Sequence, residues 1–423
     1  MPTRRTLLVA CAAGIAGCGQ IDRTTETVQA PPPTASAWYT HPQPTGNRTV
    51  SGSADLQGVE PVEFAPDGQP QWLVARPAET GSRWTVATDD GRVAEWHVTD
   101  GSATRAREFA GIPHETQPVV RAGPAGTGLL DPPGNTGTHA SPVVTPRSDG
   151  GPSKLLFVAE DGDLVVAGSE TARLPVDAPP DCRLAEVGGG RYALFGDRTD
   201  RYRHGALGDT VEGETLYVVD ADAAEISAET TLPAPAVFEG LQPLVADLDG
   251  DGEPEIVATV ADERDGARVA AFAPDGSRLA TGPIHEPGWR HQLAVAPFDP
   301  GGRPELAVVR QPHAERLLEF YGFRDGSLDV VATAEGFSSH TYGSRILSGA
   351  VAGVLGGGTT ELLVPNAARD ALVAVRRTQD GTALDWRLPL DGRLASNVTG
   401  VGLADGGVAV GAATSWTVRV WQS

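Results

Sequence analysis

From about residue 60 onward, apolar residues fall in short alternating runs separated by turns rich in Gly, Asp and Pro. That is the periodicity of strands, not helices. One frame is an apolar strand, a loop and a second apolar strand: Pro243 to Ala246, the loop Asp247-Leu-Asp249-Gly-Asp251-Gly-Glu253-Pro, then Glu255-Ile-Val257. It returns at Ala294 to Ala307 and at Ala350 to Leu363 with most of the acids gone, and corresponding positions 247, 297 and 353 lie 50 and 56 residues apart. A second frame is a strand, an Asp-Gly turn and another strand, with turns at Asp275-Gly276, Asp325-Gly326 and Asp380-Gly381, which are 50 and 55 apart. Asp-Gly between alternating apolar residues is a strong hairpin signal.

Two frames in one phase predict a unit of two hairpins, repeated every ~50 residues, which is one four-stranded propeller blade. The predicted fold is all-β: a single β-propeller of about seven blades over residues 45–423, with repeats clearest at 240–390. Pro61 to Phe64, Gln71 to Ala75, Arg83 to Ala87 and Arg92 to His97 read as blade one. Ser141 to Ala167 supplies blade two, Cys182 to Val219 blade three, the two frames blades four to six, and Val398 to Trp421 a seventh lacking its last strand. An open edge invites aggregation, so an N-terminal strand is expected to close the ring, from Ala37-Trp-Tyr-Thr or from Arg48-Thr-Val-Ser. Residues 104–138 break the frame as a Gly/Pro-rich insertion, either a binding loop or a solvated one.

Composition adds the setting. There are 33 Lys+Arg against 55 Asp+Glu, a net charge of −22, and only Lys154 is a lysine. A broad basic face for nucleic acid is excluded, so no nucleic-acid partner is expected. Acidity almost free of Lys suits a protein folding in high salt; a GC-rich genome is the alternative source of the Arg bias.

The N-terminus reads as an address. Arg4-Arg5 precedes a short apolar stretch, Thr6 to Gly17, too short to span a bilayer. Residues 1–17 are therefore read as a signal peptide. Ile15-Ala16-Gly17-Cys18 resembles a lipobox, which would put a lipid on Cys18, and Arg4-Arg5 with Leu7-Leu8 resembles a twin-arginine export signal. An ordinary cleaved signal with an incidental Cys is the alternative. Residues 18–44, rich in Thr, Pro, Ala and Gln, read as a flexible tether. The expected location is extracytoplasmic, at the cell surface, with a lipid anchor as the membrane contact. Cys182 alone remains beyond Cys18, so no intrachain disulfide is available and Cys182 reads as a small buried residue.

The run Asp247-x-Asp249-x-Asp251-Gly252-x-x-Glu255 resembles the calcium loop of FG-GAP and VCBS repeats of integrin-type propellers. That family usually ends the loop with Asp, and Glu255 is one carbon longer. The resemblance implies a structural Ca2+ held by Asp247, Asp249, Asp251, the carbonyl of Glu253, and Glu255, since calcium takes six to eight hard oxygens on a flexible loop. A plain acidic hairpin turn is the alternative. The worn copies at 297–305 and 353–361 are expected to hold no ion. Leu372 to Trp386 also resembles a quinoprotein-type propeller repeat, used structurally; no organic cofactor is expected.

His139, His291 and His340 fall at or near the first strands of blades, with Asn397 in a similar place, and first strands line a propeller's channel. With His204, Arg290 and Arg345, and with Arg183 and Arg393 nearby, they form a candidate channel-mouth site for an anionic ligand or a metal; ordinary loop hydrogen bonding is the alternative. No nucleophile elbow, helical His pair or phosphate loop is present. Asn47-Arg-Thr49 and Asn397-Val-Thr399 fit the N-glycosylation sequon, the first in an exposed leader, the second buried. The favoured reading is a lipid-anchored surface propeller that binds a protein or glycan and does no chemistry. The alternatives are an exported enzyme, for instance acting on polysaccharide, with its site at the mouth, and a structural spacer.

Overall fold

The structure is a computed structural model that describes residues 37–41, 44–124, 126–145 and 153–423. Residues 1–17, read as a signal peptide, Cys18 and most of the segment read as a tether lie outside the described residues. Seven antiparallel groups of four strands follow one another. Blade one is Pro70–Pro77, Ser82–Thr88, Val93–Thr99 and Ser102–Glu108. Blade two is Val143–Val144, Leu155–Val158, Leu164–Ala167 and Thr171–Leu174. Blade three is Ala185–Gly188, Arg191–Thr199, Glu212–Asp220 and Glu225–Thr231. Blade four is Val237–Ala246, Glu255–Asp262, Gly266–Phe272 and Arg278–Thr281. Blade five is Arg290–Ala296, Glu305–Arg310, Leu317–Arg324 and Ser327–Glu335. Blade six is Val351–Val354, Thr360–Pro365, Ala371–Thr378 and Gly381–Pro389. Blade seven is Thr399–Gly402, Val408–Ala413 and Val418–Gln422, completed by Val62–Phe64.

Val62–Phe64 is a correction. It is not the first strand of blade one but the outermost strand of blade seven, antiparallel to Val418–Val420. Neither expected closing segment supplies that edge. Ala37–Tyr39 pairs instead with Val120–Gly123, which also pairs with Gly126–Leu129. This small sheet, built largely from the insertion, sits between blades one and two: Trp38 and Leu130 pack on blade two, and Leu129 on the Trp72 cluster of blade one.

The second segment, Thr49–Ser53, runs parallel to the first strand of blade six, inside the ring. It belongs to a strap that visits five blades in order. Pro44 O accepts from Glu186 N of blade three, and Thr45 O from Val245 N of blade four. Asn47 donates Nδ2 to Val295 O (2.9 Å) and accepts from Val295 N (2.9 Å) in blade five. Arg48 O accepts from Ala352 N of blade six, and Ser53 N donates to Gly406 O of blade seven. From blade three to blade six the chain advances one or two residues per blade, and it takes five more from Arg48 to Ser53 to reach blade seven. Asn47 is thus no exposed leader residue: its amide is engaged on both sides.

Turn chemistry follows the sequence. Asp325 and Gly326 both take positive φ (49° and 77°), the tight hairpin conformation that favours Gly at the second position. Apolar clusters bridge successive blades, and the last joins blade seven to blade one: Val401, Ala409, Val418 and Val420 pack with Leu73, Trp84 and Val86. Gly411 permits this seam. A Cβ there would lie 2.2 Å from Trp84 Cζ3, and Trp84 is completely buried. Gly411→Ala is therefore expected to lower stability by about 1–3 kcal/mol through overpacking, read as a reduced denaturant midpoint at unchanged slope. An unaltered midpoint would mean that the seam is loose.

Candidate functional site at the ring mouth

Antiparallel pairing puts the turn after each first strand on one face, and the connections between blades on the other. His139, Arg183, Arg290, His340, Arg345 and Asn397 therefore share a face, and the acidic loop of blade four lies on the opposite one.

At the mouth the predicted residues do not form one open cluster. The connection from blade five to blade six, residues 336–350, reaches across to blade three, where Gly343 N donates to Ala206 O (2.9 Å). The histidines hold this crossing segment. His291 is bonded at both ring nitrogens, Nδ1 to Ser339 Oγ (2.7 Å) and Nε2 to Leu347 O (2.7 Å). A carbonyl can only accept, so His291 carries its proton on Nε2. His340 bonds Ser344 O through Nε2 (2.9 Å), and His313 Nε2 lies 3.0 Å from its Nδ1. Trp289 stacks on His291 at 4.2 Å and meets His340 edge-on. Burial is the main cause that holds His291 well below its ordinary pKa and His340 down to about 3.

The other members separate into groups. Arg345 bridges Asp181 (2.7 Å) and Asp209 (3.0 Å), and its carbonyl accepts from Arg183 Nη2 (2.8 Å). Arg183 also lies over the Trp72 ring at 5.3 Å. His139 stands 3.5 Å from Glu115. His204 Nδ1 contacts Glu239, whose other oxygen accepts from Tyr202 Oη (3.3 Å). That contact is the largest cause of the raised His204 pKa. Arg290 is fully buried and donates to Gly288 O (2.6 Å) and Glu286 O (3.1 Å). Asn397 clamps Leu73, accepting from its N (2.7 Å) and donating to its O (3.0 Å), as Asn47 clamps Val295. Arg393 is exposed.

Several residues escaped the sequence reading. His41, which precedes the strap (Nδ1 to Thr399 Oγ1, 2.8 Å), and Arg48, within it (Nη1 to Gln292 O, 2.8 Å), are buried behind the mouth. Burial presses Arg48 down to about 9. Glu239 had a sequence signal, a lone acid inside an apolar strand; Arg369 had none. Beside the crossing segment, towards blades six, seven and one, lies a cavity of about 280 Å³ lined by Gln71, Ser339, Thr341, Ser344, Arg369 and Ser396, among others.

On the far face, one carboxylate oxygen each of Asp247, Asp249 and Glu255 lie within 4.8 Å of one another; among the described residues this is the one such group of three. Asp247 accepts from Gly250 N and Gly252 N, which curls the loop inward. Asp249 accepts from Asp251 N and Asp251 from Glu253 N, and the Asp251 side chain is not part of the group. Glu255 is buried and accepts from Leu248 N (2.6 Å). Burial first, then Asp249 and Asp251, push it up to about 7. Hard oxygens at this spacing fit one Ca2+, whose bonds of 2.3–2.6 Å span such separations. The equivalent glutamates are satisfied differently. Glu305 pairs with Arg377 of blade six at 2.9 Å, and Glu361 accepts from Trp386 Nε1 at 3.0 Å.

No known family matches the chain, and no curated protein does. Among solved structures it is similar to Raptor of Chaetomium thermophilum (11% identity, TM-score 0.44, covering 91% of this chain and 30% of that one). It is also similar to BamB of Moraxella catarrhalis (12%, 0.40, 89% and 97%) and to the WD40 β-propeller domain of Doa1 (15%, 0.43, 87% and 96%). The chain thus spans less than a third of the Raptor chain and nearly all of the other two. The assignment of the fold rests on strand pairing: the protein is an all-β propeller, closed by an N-terminal strand.

The histidines titrate in opposite senses. His291, His313 and His340 have folded pKa values below the unfolded ~6.5, so the stability they contribute is complete above ~6.5 and is lost progressively below it, as pH falls through their folded pKa values. His204 is raised, so its contribution is complete below ~6.5 and is lost as pH rises through its folded pKa. Nitrogen-detected NMR should find His340 neutral at about pH 5 and His204 still protonated above about 6.5. His204→Gln should lower the melting temperature more at about pH 6 than at about pH 8.5; equal losses would exclude the ion pair with Glu239.

Proposed function

We propose that this protein is an exported, lipid-anchored propeller that binds a partner at its mouth, with one structural calcium loop on the opposite face. The observation that carries the binding role is the construction of the mouth. The axis behind it is filled by the strap, and His291, His340 and Arg183 hold the crossing segment while the other predicted residues are engaged elsewhere. A ligand therefore docks on this face and does not pass through it. Tyr342, on the crossing segment, is 64% exposed and meets His313 edge-on, an aromatic anchor of the kind that binding surfaces use. The partner is a protein or a glycan at the cell surface. The exported-enzyme reading finds less support, because His204, His291 and His340 already have hydrogen-bond partners and His139 stands apart beside Glu115.

The test places a photo-crosslinking residue at Tyr342 or at Asp325, an exposed turn on the opposite face, in the full chain in cells. Position 342 should capture a partner and position 325 should not. Cys18→Ser should move the chain from the membrane fraction to the medium. Equal capture at both positions would reject the mouth as binding face, and an unchanged membrane fraction would reject the lipid anchor.

Calcium should stabilise blade four by mass action, roughly 2.7 kcal/mol at a hundredfold excess over Kd. Asp249→Ala should remove most of that gain while the ring stays closed, because six blades do not use the ion. Thermal unfolding with calcium and with chelator at constant ionic strength reads it. An unchanged midpoint in the unmutated protein would leave the loop an ordinary hairpin turn.

A further inference from the structure

Six arginines are buried among the described residues: Arg48, Arg183, Arg290, Arg369, Arg377 and Arg419. Five of them direct the guanidinium at a backbone carbonyl, a carboxylate or both. Arg48 reaches Gln292 O and Leu293 O; Arg183 reaches Arg345 O; Arg290 reaches two carbonyls. Arg377 pairs with Glu305, and Arg419 with Glu63 and Asp391. Arg369 differs. Among the described residues the one hydrogen-bond partner of its guanidinium is the hydroxyl of Thr341, and the charged groups that act on it, Arg316 and Arg393, are cations. Burial and these neighbours lower it to about 10, so it stays protonated at neutral pH. It is 5% exposed, and it lines the cavity of about 280 Å³ at the mouth.

A buried cation without a counter-charge is costly, since truncating one member of a buried pair costs several kcal/mol. The fold nevertheless holds Arg369 in place. Its backbone is left-handed (φ 60°), an uncommon state for a residue with a Cβ. Its N donates to Asn366 O (2.9 Å), and its O accepts from Leu394 N (2.7 Å). Around it the cavity offers hydroxyls and an amide: Ser339, Thr341, Ser344, Ser396 and Gln71. His340 adds a neutral ring. The acid on the wall, Asp89, is exposed to solvent.

We propose that this cavity is a binding site for an anionic oxygen group, with Arg369 as the counter-charge and the hydroxyls of Thr341 and Ser344 and the amide of Gln71 as further donors; the protons of Ser339 and Ser396 are already given to His291 and Asn397 O. Guanidinium pairs with carboxylate, sulfate and phosphate by charge-assisted hydrogen bonds in a planar fork. The volume suits one such group, free or at the end of a larger ligand whose remainder lies on the exposed mouth. The surface at large, with net charge −22, repels anions, so selection is local and gains from salt that screens the long-range field. This deepens the proposed role of the mouth as the binding face. The two readings fail separately, because partner capture at Tyr342 does not depend on Arg369.

The test is the melting temperature of the full chain, titrated at fixed calcium and constant ionic strength with sulfate, phosphate or glucuronate against a chloride baseline. The first two probe a free ion; glucuronate probes a carboxylate carried on a sugar. At least one should raise the melting temperature saturably. Arg369→Gln should weaken the half-saturating concentration at least tenfold. Arg369→Lys, which keeps the charge and loses the fork, should fall between and guards against a misfolded Gln variant. No saturable rise with any of the three anions, or the same half-saturation in both variants as in the unmutated chain, would overturn the site.

Discussion

Everything in this molecule depends on closing a ring whose two ends lie far apart in sequence. Val62–Phe64 must meet Val418–Val420 before blade seven has an outer edge, and only then can Trp84 settle over Gly411. Bringing positions this distant together costs about 5 kcal/mol of loop-closure entropy beyond a constant. The return is that an open ring's two exposed flanks disappear at one seam, where the apolar residues of blades seven and one pack.

Closure also explains why the centre is polar and yet ordered. First strands converging on an axis leave backbone groups and a gap that side chains alone do not fill. The strap fills it with its own backbone, five blades in succession, and brings Arg48 with it, His41 just preceding it. Asn47 and Asn397 do the same job on a smaller scale, each presenting an amide to a backbone N–H and C=O as a neighbouring strand would. The three glutamates opening the second strands of blades four to six show one position under three solutions. A buried carboxylate must be satisfied: Arg377 does it for Glu305, Trp386 for Glu361 and the backbone N–H of Leu248 for Glu255.

The blades were readable in the sequence because two frames kept one phase across blades four to six, and hairpin chemistry is local. The closing strand was misassigned because Val-Glu-Phe has the same alternation wherever it pairs; nothing local says which edge it will join. The strap was missed for the opposite reason. Residues 44–53 lack an apolar rhythm, since most of their partners are backbone groups; only Val50, with Ala54 and Leu56 just beyond, reaches the apolar core of blades six and seven. The clustering of Asp247, Asp249 and Glu255 was readable because their spacing is itself the geometry of the loop; Asp251 stands outside the cluster. The mouth residues were placed on the right face, but whether a histidine there is open or bonded is decided by a segment from another blade. Arg369 drew no notice, because its distinction is a partner it lacks.

The strap has a mechanical consequence. Chain N-terminal to it runs to the ring between blades one and two, and the strap then circles inside the ring to blade seven. A pull on the N-terminus therefore loads hydrogen bonds to five blades in shear before it reaches Val62–Phe64, the strand whose removal opens the ring. A load from that side meets the interior first and the latch last, so tension is distributed over most of the ring instead of unzipping a single edge.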